Sequence, residues 1–311
     1  HRSVLRIAAL HQEWIADTNY ESFRISRGFN DQFYLGFGFT YLYLPFVYYD
    51  MFGDSGGQSH NLSQSLGILN GGYHFRGLDL TVGANAKVYY YYVPEDLVAD
   101  QSFALLSFDV GVLKKTNLLK SYVGPEPSLC FGLAVRNVGF SNAVDKLPLE
   151  VHTGASYRPI RPLLISTEVA LPFFEPIYGG IGVEYDFAER YYINGGVQIK
   201  ANPMFAAGFG YRRKDLRINV SYTPTLAFYN MMSITVSYAF GEYKRQQESE
   251  KIEQLLQEAF DLFAQGKYDK ALDAVERVLE MDPKNGRALN LKETIVARQK
   301  LHERARHLEN E

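Results

Sequence analysis

From Leu78 to Tyr90 apolar and polar residues alternate without a break. Leu78, Leu80, Val82, Ala84, Ala86, Val88 and Tyr90 fall on one side, and Asp79, Thr81, Gly83, Asn85, Lys87 and Tyr89 on the other. Successive side chains of a strand point to opposite faces, so this segment has one apolar wall and one polar wall. The alternation recurs. Phe33, Leu35, Phe37, Phe39 and Tyr41 alternate with Tyr34, Gly36, Gly38 and Thr40, and Leu106, Phe108, Val110 and Val112 with Ser107, Asp109 and Gly111. Leu129, Phe131, Leu133 and Val135 alternate with Cys130, Gly132, Ala134 and Arg136. Leu216, Ile218, Val220 and Tyr222 follow, and then Met232, Ile234, Val236, Tyr238 and Phe240.

This reading gives about fourteen strands, many of about ten residues. A membrane strand tilted across hydrocarbon needs about 9–11 residues, whereas soluble strands are usually nearer 5–6. The connections add a second signal. Those after odd-numbered strands include the long segments 45–61 and 94–100 and the moderate segments 139–147 and 224–230. Those after even-numbered strands are mostly tight, at 76–77, 158–161, 188–190 and 213–215, with 114–126 as the exception. Outer-membrane barrels have short periplasmic turns, longer external loops and an even strand count. The expectation is an all-β transmembrane barrel of about fourteen antiparallel strands with both termini on the periplasmic side. A soluble two-sheet sandwich would alternate as well. Strand length and loop asymmetry favour the membrane.

Near Glu242 the period changes. From Tyr243 onward glycine and tyrosine become scarce, charges abound and apolar residues recur at helical spacing. The expected organisation is a barrel over 1–242, a linker over 243–251 and a small helical module over 252–311. In the module, Leu255, Ala259 and Leu262 line a first helix, Gly266 and Tyr268 make a turn, Ala271, Val275 and Val278 line a second, and Pro283 closes the unit. Residues 252–285 resemble one complete tetratricopeptide repeat. They depart from it in having Leu255 at the first signature position and Glu258 where leucine is common. Ala288, Leu291, Ile295 and Leu301 then mark a capping helix. A lone repeat does not bury both of its faces, so docking on a periplasmic protein, on another copy or on the barrel base is expected. A helical pair that merely folds on itself is the alternative.

Composition sharpens this picture. The chain has 23 Tyr and 21 Phe but one Trp, and phenol rings suit an apolar–wet boundary such as a membrane surface. A net charge of −3 argues against a dedicated nucleic-acid binder. Cys130 is the single cysteine, which excludes a disulfide framework and a thiolate metal site. No apolar run is long enough for a transmembrane helix. No signal peptide precedes His1-Arg2-Ser3, so a mature or trimmed start is expected.

Four stretches carry a further resemblance. These are Trp14-Ile15-Ala16-Asp17, the Gly-rich strand over 35–44, Gly132-Leu133-Ala134-Val135-Arg136-Asn137-Val138-Gly139, and the run from Leu147-Pro148-Leu149 to Tyr157-Arg158-Pro159. Over about residues 5–241 the chain resembles the PorV-type and related spirochaete proteins of the FadL-like outer-membrane family. The resemblance implies a fourteen-stranded barrel. It also implies one of two roles: carriage of long-chain fatty acids or other hydrophobic molecules, or docking for a secretion system. Members begin with a segment that plugs the lumen, and this chain is expected to start after it.

No catalytic constellation, cofactor motif or metal set stands out, and enzyme activity is not expected. The seven His are scattered, with His302 and His307 in a charged helix. Asp79, Asn85, Lys87, Asp109, Arg136, Glu168, Glu184, Arg217 and Asn219 should face inward. They serve either as paired charges that only stabilise the wall or as a polar path below a more apolar pocket. Phe46, Tyr48, Tyr49, Met51 and Phe52 sit in a long external connection. A greasy substrate could adsorb there, or these residues could pack on themselves as a lid. The expected partners are outer-membrane lipid, a hydrophobic small molecule and a periplasmic protein, and no nucleic acid.

Overall fold

The computed structural model describes the chain except for residues 1–3, 15–16, 30–31, 48, 50–51, 54–58, 96–100, 123–126, 141–146, 189, 225–229, 284 and 310–311. Fourteen strands lie in order: β1 (Leu5–Glu13), β2 (Asn19–Phe29), β3 (Phe33–Val47), β4 (Ser59–Phe75), β5 (Leu80–Tyr92), β6 (Phe103–Thr116) and β7 (Leu129–Phe140). They continue as β8 (Glu150–Ile160), β9 (Leu163–Pro172), β10 (Tyr178–Phe187), β11 (Tyr191–Ile199), β12 (Met204–Arg213), β13 (Leu216–Thr223) and β14 (Met231–Phe240). Each pairs antiparallel with its neighbours in sequence. β1 also pairs with β14 from Leu5↔Phe240 to Glu13↔Met232, so the sheet closes into a barrel with no free edge.

Register fixes the two faces. Val82 pairs with Tyr73 and Val112, and Val110 with Ala84 and Val135, which joins the apolar sides of neighbouring strands into one outer band. Large apolar side chains in that band stand exposed, among them Leu35, Phe37, Val110, Phe131, Ile193 and Ile234. A closed sheet has a single interior, and the polar side chains occupy it. The apolar alternation is therefore an outward feature. It is the inverse of a soluble core, where such residues would be covered.

Several expected boundaries move. Leu78 and Asp79 are not in β5. Arg76–Leu78 form a 3-10 turn, and Asp79 follows with a left-handed φ of 47°, so Asp79 lies outside the inward face of the strand. Turn geometry overrides the alternation because Asp79 N–H bonds back to the Arg76 carbonyl. β3 runs on to Val47 and β4 begins at Ser59, so Phe46 belongs to a strand and faces inward opposite His60. Pro45 is tolerated because β2 pairs with β3 only as far as Tyr43, leaving its missing N–H without a ladder partner to lose. The long connection between β6 and β7 is real and does not disturb the strand count.

The helical unit has α1 (Glu242–Ala264), α2 (Tyr268–Met281) and α3 (Gly286–Glu309). Residues 243–251 are not a linker but the first turns of α1. Leu256, Ala259, Ala271, Ala274, Val275, Val278, Ala288, Leu291 and Ile295 form a core of their own, with Leu255, Leu262 and Tyr268 partly buried against it. Leu256, not Leu255, is the fully buried member of that pair. Gly266 ends α1 at φ 72°, its N–H bonding to the Phe263 carbonyl and that of Lys267 to the Leu262 carbonyl, a paired cap that needs a left-handed residue. Pro283 follows α2, and Asn285 caps α3 by accepting from Ala288 N–H at 3.1 Å.

Candidate functional site: the barrel lumen

The tightest polar cluster lies on β5, β6 and β7. Lys87 Nζ is 2.6 Å from Asp109 Oδ1 and donates to Asn137 Oδ1 at 2.7 Å. Asn85 Nδ2 donates to Asp109 Oδ2 at 2.9 Å, and the Asn137 N–H to Asp109 Oδ1 at 2.9 Å. Lys87, Asp109 and Asn137 are each only 7% exposed. Burial of a charge is tolerated here because it is both paired and hydrogen-bonded. The cluster exists because the β6–β7 register shifts between Phe108 and Val110, so that Arg136 and Asn137 together oppose Asp109. Asn137 takes a φ of 60° at this bulge, a conformation asparagine tolerates better than most residues. Its Nδ2 reaches on to the Pro148 carbonyl at 2.9 Å, fastening the chain that leads into β8.

Beside this cluster a recess of about 570 Å³ is lined by Asn85, Arg136, His152 and Glu168, among others. Arg136 Nη1 is 4.0 Å from Glu150 Oε1, and Tyr178 Oη donates to Glu150 Oε2 at 3.3 Å. His152 Nε2 lies 2.9 Å from Glu150 Oε1, off the hydrogen-bonding direction. Arg136 is 48% exposed although it points inward, which requires open space within the wall. Glu168, Arg24, Arg217 and Asn70 are likewise exposed on the inner face.

A third group spans β8 and β10 to β13. Arg212 lies 3.2 Å from Asp186 and 3.5 Å from Glu184, and Arg158 lies 3.7 Å from Asp186. Asn194 donates to Asn219 at 3.1 Å. The Arg212 guanidinium sits 5.0 Å above the Tyr192 ring, and that ring lies flat across Gly210. A methyl at position 210 would overlap the ring. Gly210→Ala is therefore expected to destabilise the barrel by about 1–3 kcal/mol through overpacking. Urea titration of the folded form checks this, and Gly77→Ala, at an open turn position, should be close to neutral.

Towards the end bearing the longer loops the inner face of β3 to β6 turns apolar. Leu42, Leu66, Ile68, Tyr89 and Leu105 share that face through the pairs Leu42↔Gln64, Leu66↔Tyr89 and Tyr89↔Leu105, and Ile68 sits opposite Lys87. Tyr91 and Phe103 extend the patch, with ring centroids 5.4 Å apart. On β3 to β6 the inner wall thus carries an apolar patch near the loops, whereas on β7 and β8 Arg136 and Glu150 keep that same end charged.

The family described as Uncharacterised protein family (UPF0164) matches residues 3–241, a span that includes every strand. The chain belongs to the UPF0164 family. No curated protein matches it. Among solved structures, a deletion mutant of the monoaromatic hydrocarbon channel TodX is 12% identical, covering 76% of this chain and 89% of its own with a TM-score of 0.46. A triple mutant of the Rhodopseudomonas blastica porin is 11% identical, covering 77% of this chain and 99% of its own with a TM-score of 0.38. Likeness at this level concerns the barrel fold alone.

In this UPF0164 barrel Asn85, Lys87, Asp109, Arg136, Glu168, Glu184, Arg217 and Asn219 all face inward. The fold brings Asn85, Lys87 and Asp109 together, and it joins Glu184 to Arg212. Asp79 is excluded. Of the loop residues, Tyr49 and Phe52 are exposed, Phe46 is in β3, and Tyr48 and Met51 lie outside the described residues. The side chains of His302 and His307 are likewise not described. Sequence reading missed Asn137, because only the bulge turns it inward, and it missed Glu150, His152, Tyr178, Arg24 and Arg212. The alternation within β8 and β12 would have placed His152 and Arg212. Among the described residues no group of His, Cys, Asp or Glu is arranged to hold a metal.

Proposed function

We propose that the chain is an outer-membrane channel that admits hydrophobic small molecules, such as long-chain fatty acids, by passive movement through the barrel. The observation that carries this reading is the inner wall. Arg24, Arg136, Glu168 and Arg217 are solvent-accessible on it, as in a water-filled passage, and Leu42, Leu66, Ile68, Tyr89 and Leu105 form a greasy surface nearer the loops on β3 to β6. A substrate leaving water gains by burying apolar area on such a surface. The exposed outer band supports a lipid environment, and the loop asymmetry supports termini on the periplasmic side. The FadL-like resemblance agrees with this reading. Proteoliposomes containing the full chain should take up a labelled long-chain fatty acid faster than empty vesicles. Leu66→Asp together with Leu105→Asp should slow that uptake several-fold. Absence of both binding and flux would sink the proposal.

In the same reading the helical tail, as a tetratricopeptide-type module, lies in the periplasm and recruits a protein partner. Its separate core supports this, since α1, α2 and α3 bury apolar side chains among themselves and leave Phe260, Met281 and Leu289 exposed. The competing reading, a non-transporting docking component, rests on the same core. A pull-down comparing the full chain with one ending at Gly241 separates them: loss of a partner with uptake retained assigns recruitment to the tail.

A further inference from the structure

We propose that an arginine row inside the barrel makes its lumen select for anions, so that the solutes it passes or holds carry a carboxylate or phosphate group. This rests on the channel reading above. Across the strands where the barrel closes, the register places Arg24, Ala8, Ser237, Arg217 and Arg212 side by side on the inner face. Three are cationic and the two between them are small.

Arg24 and Arg217 differ from Arg212. Glu184 and Asp186 neutralise Arg212. Among the described residues neither Arg24 nor Arg217 has an acidic partner, and both are exposed on the inner face. Strands are about 4.8 Å apart, so three strand steps put the Cα atoms of Arg24 and Arg217 about 14 Å from each other. Ala8 and Ser237 leave the floor between them low, and two arginine side chains reaching over it from either side can converge on one anion. Guanidinium is the cation best suited to this, since its planar fork binds carboxylate or phosphate with two parallel bonds.

Two features argue against a purely structural role. Arg212 and Arg217 stand directly opposite in register, and like charges so placed destabilise a sheet. The imbalance also extends around the lumen. Among the described inward positions the basic side chains are Arg6, Arg24, Lys87, Lys115, Arg136, Arg158, Arg212 and Arg217, against Asp109, Glu150, Glu168, Glu184 and Asp186. The carboxylates are mostly committed to Lys87, Arg136, Arg158 and Arg212, so the uncommitted field at the row is positive. A low-dielectric wall around a narrow aqueous path focuses such a field on passing ions.

The row is tested by single-channel recording of the full chain in a planar bilayer under a potassium chloride gradient. The reversal potential of the parent should show a several-fold preference for chloride. Arg24→Glu with Arg217→Glu should reverse that preference, and Arg24→Gln with Arg217→Gln, which keeps size and polarity, should abolish it if the charge-reversed pair does not insert. Arg27→Glu, on the outer face of the same strand, should leave it unchanged. A parent that prefers potassium, or a reversal potential that both pairs leave unmoved, overturns the inference while leaving a channel. Absence of current in every protein overturns the channel reading and this one with it.

Discussion

Asp109→Ala is expected to destabilise the folded barrel by about 3–5 kcal/mol, the largest effect of any single change in the wall. The substitution removes one carboxylate that receives Lys87, Asn85 Nδ2 and the Asn137 backbone N–H together. Lys87 would be left buried with only the Asn137 side-chain oxygen to share its charge. The penalty comes chiefly from that orphaned ammonium, not from the lost pair. Adding Lys87→Met to Asp109→Ala should therefore recover a large part of the stability, which makes the two changes strongly non-additive. Urea unfolding in lipid vesicles, followed by the fluorescence of Trp14, the single tryptophan, measures all three proteins. If the double variant is no more stable than Asp109→Ala, the buried-charge account is wrong.

Val82→Arg should destabilise the membrane-inserted state by about 2–4 kcal/mol, the range for a cation placed on the lipid face of a barrel near midplane. Val82 lies on the outer band, flanked in register by Tyr73 and Val112. Three residues along the same strand, Asn85→Arg should be far milder. Position 85 faces the lumen, opposite Asp109, where a guanidinium meets water and a carboxylate. The folded fraction after transfer into vesicles, read from the heat-dependent shift on a gel, compares the two. Equal tolerance would remove the assignment of faces and with it the membrane reading. The contrast is a property of the strand, because a step of three residues crosses from one face to the other.

Much of the architecture is visible in local pattern. A period of two over long segments gives strands, the face that each side chain takes, and the count of fourteen, because side-chain direction in a strand depends on parity alone. The alternation of tight and long connections gives an up-and-down order. In the tail, Gly266 and Pro283 mark helix ends for reasons confined to the backbone of a few residues. These features survive because nothing distant competes with them.

The candidate site was legible only in part. Its inward residues follow from parity wherever parity holds. Where it fails, so does the reading. At the β7 bulge one extra residue turns Asn137 inward and Val138 outward, and no pattern within β7 announces the shift. Asp79 fails for the opposite reason, since a turn captured a residue that alternation had assigned to a strand.

What the amino-acid order alone determined here is which side chains form the apolar outer band and which face the interior. Only the closed tertiary structure decided which interior residues meet one another: Lys87 with Asp109 and Asn137, and Arg212 with Glu184 and Asp186. The physical reason is range. Face is set by the chain's own dihedral repeat, whereas partnership depends on register, bulges and closure, which join segments as distant as Leu5 and Phe240.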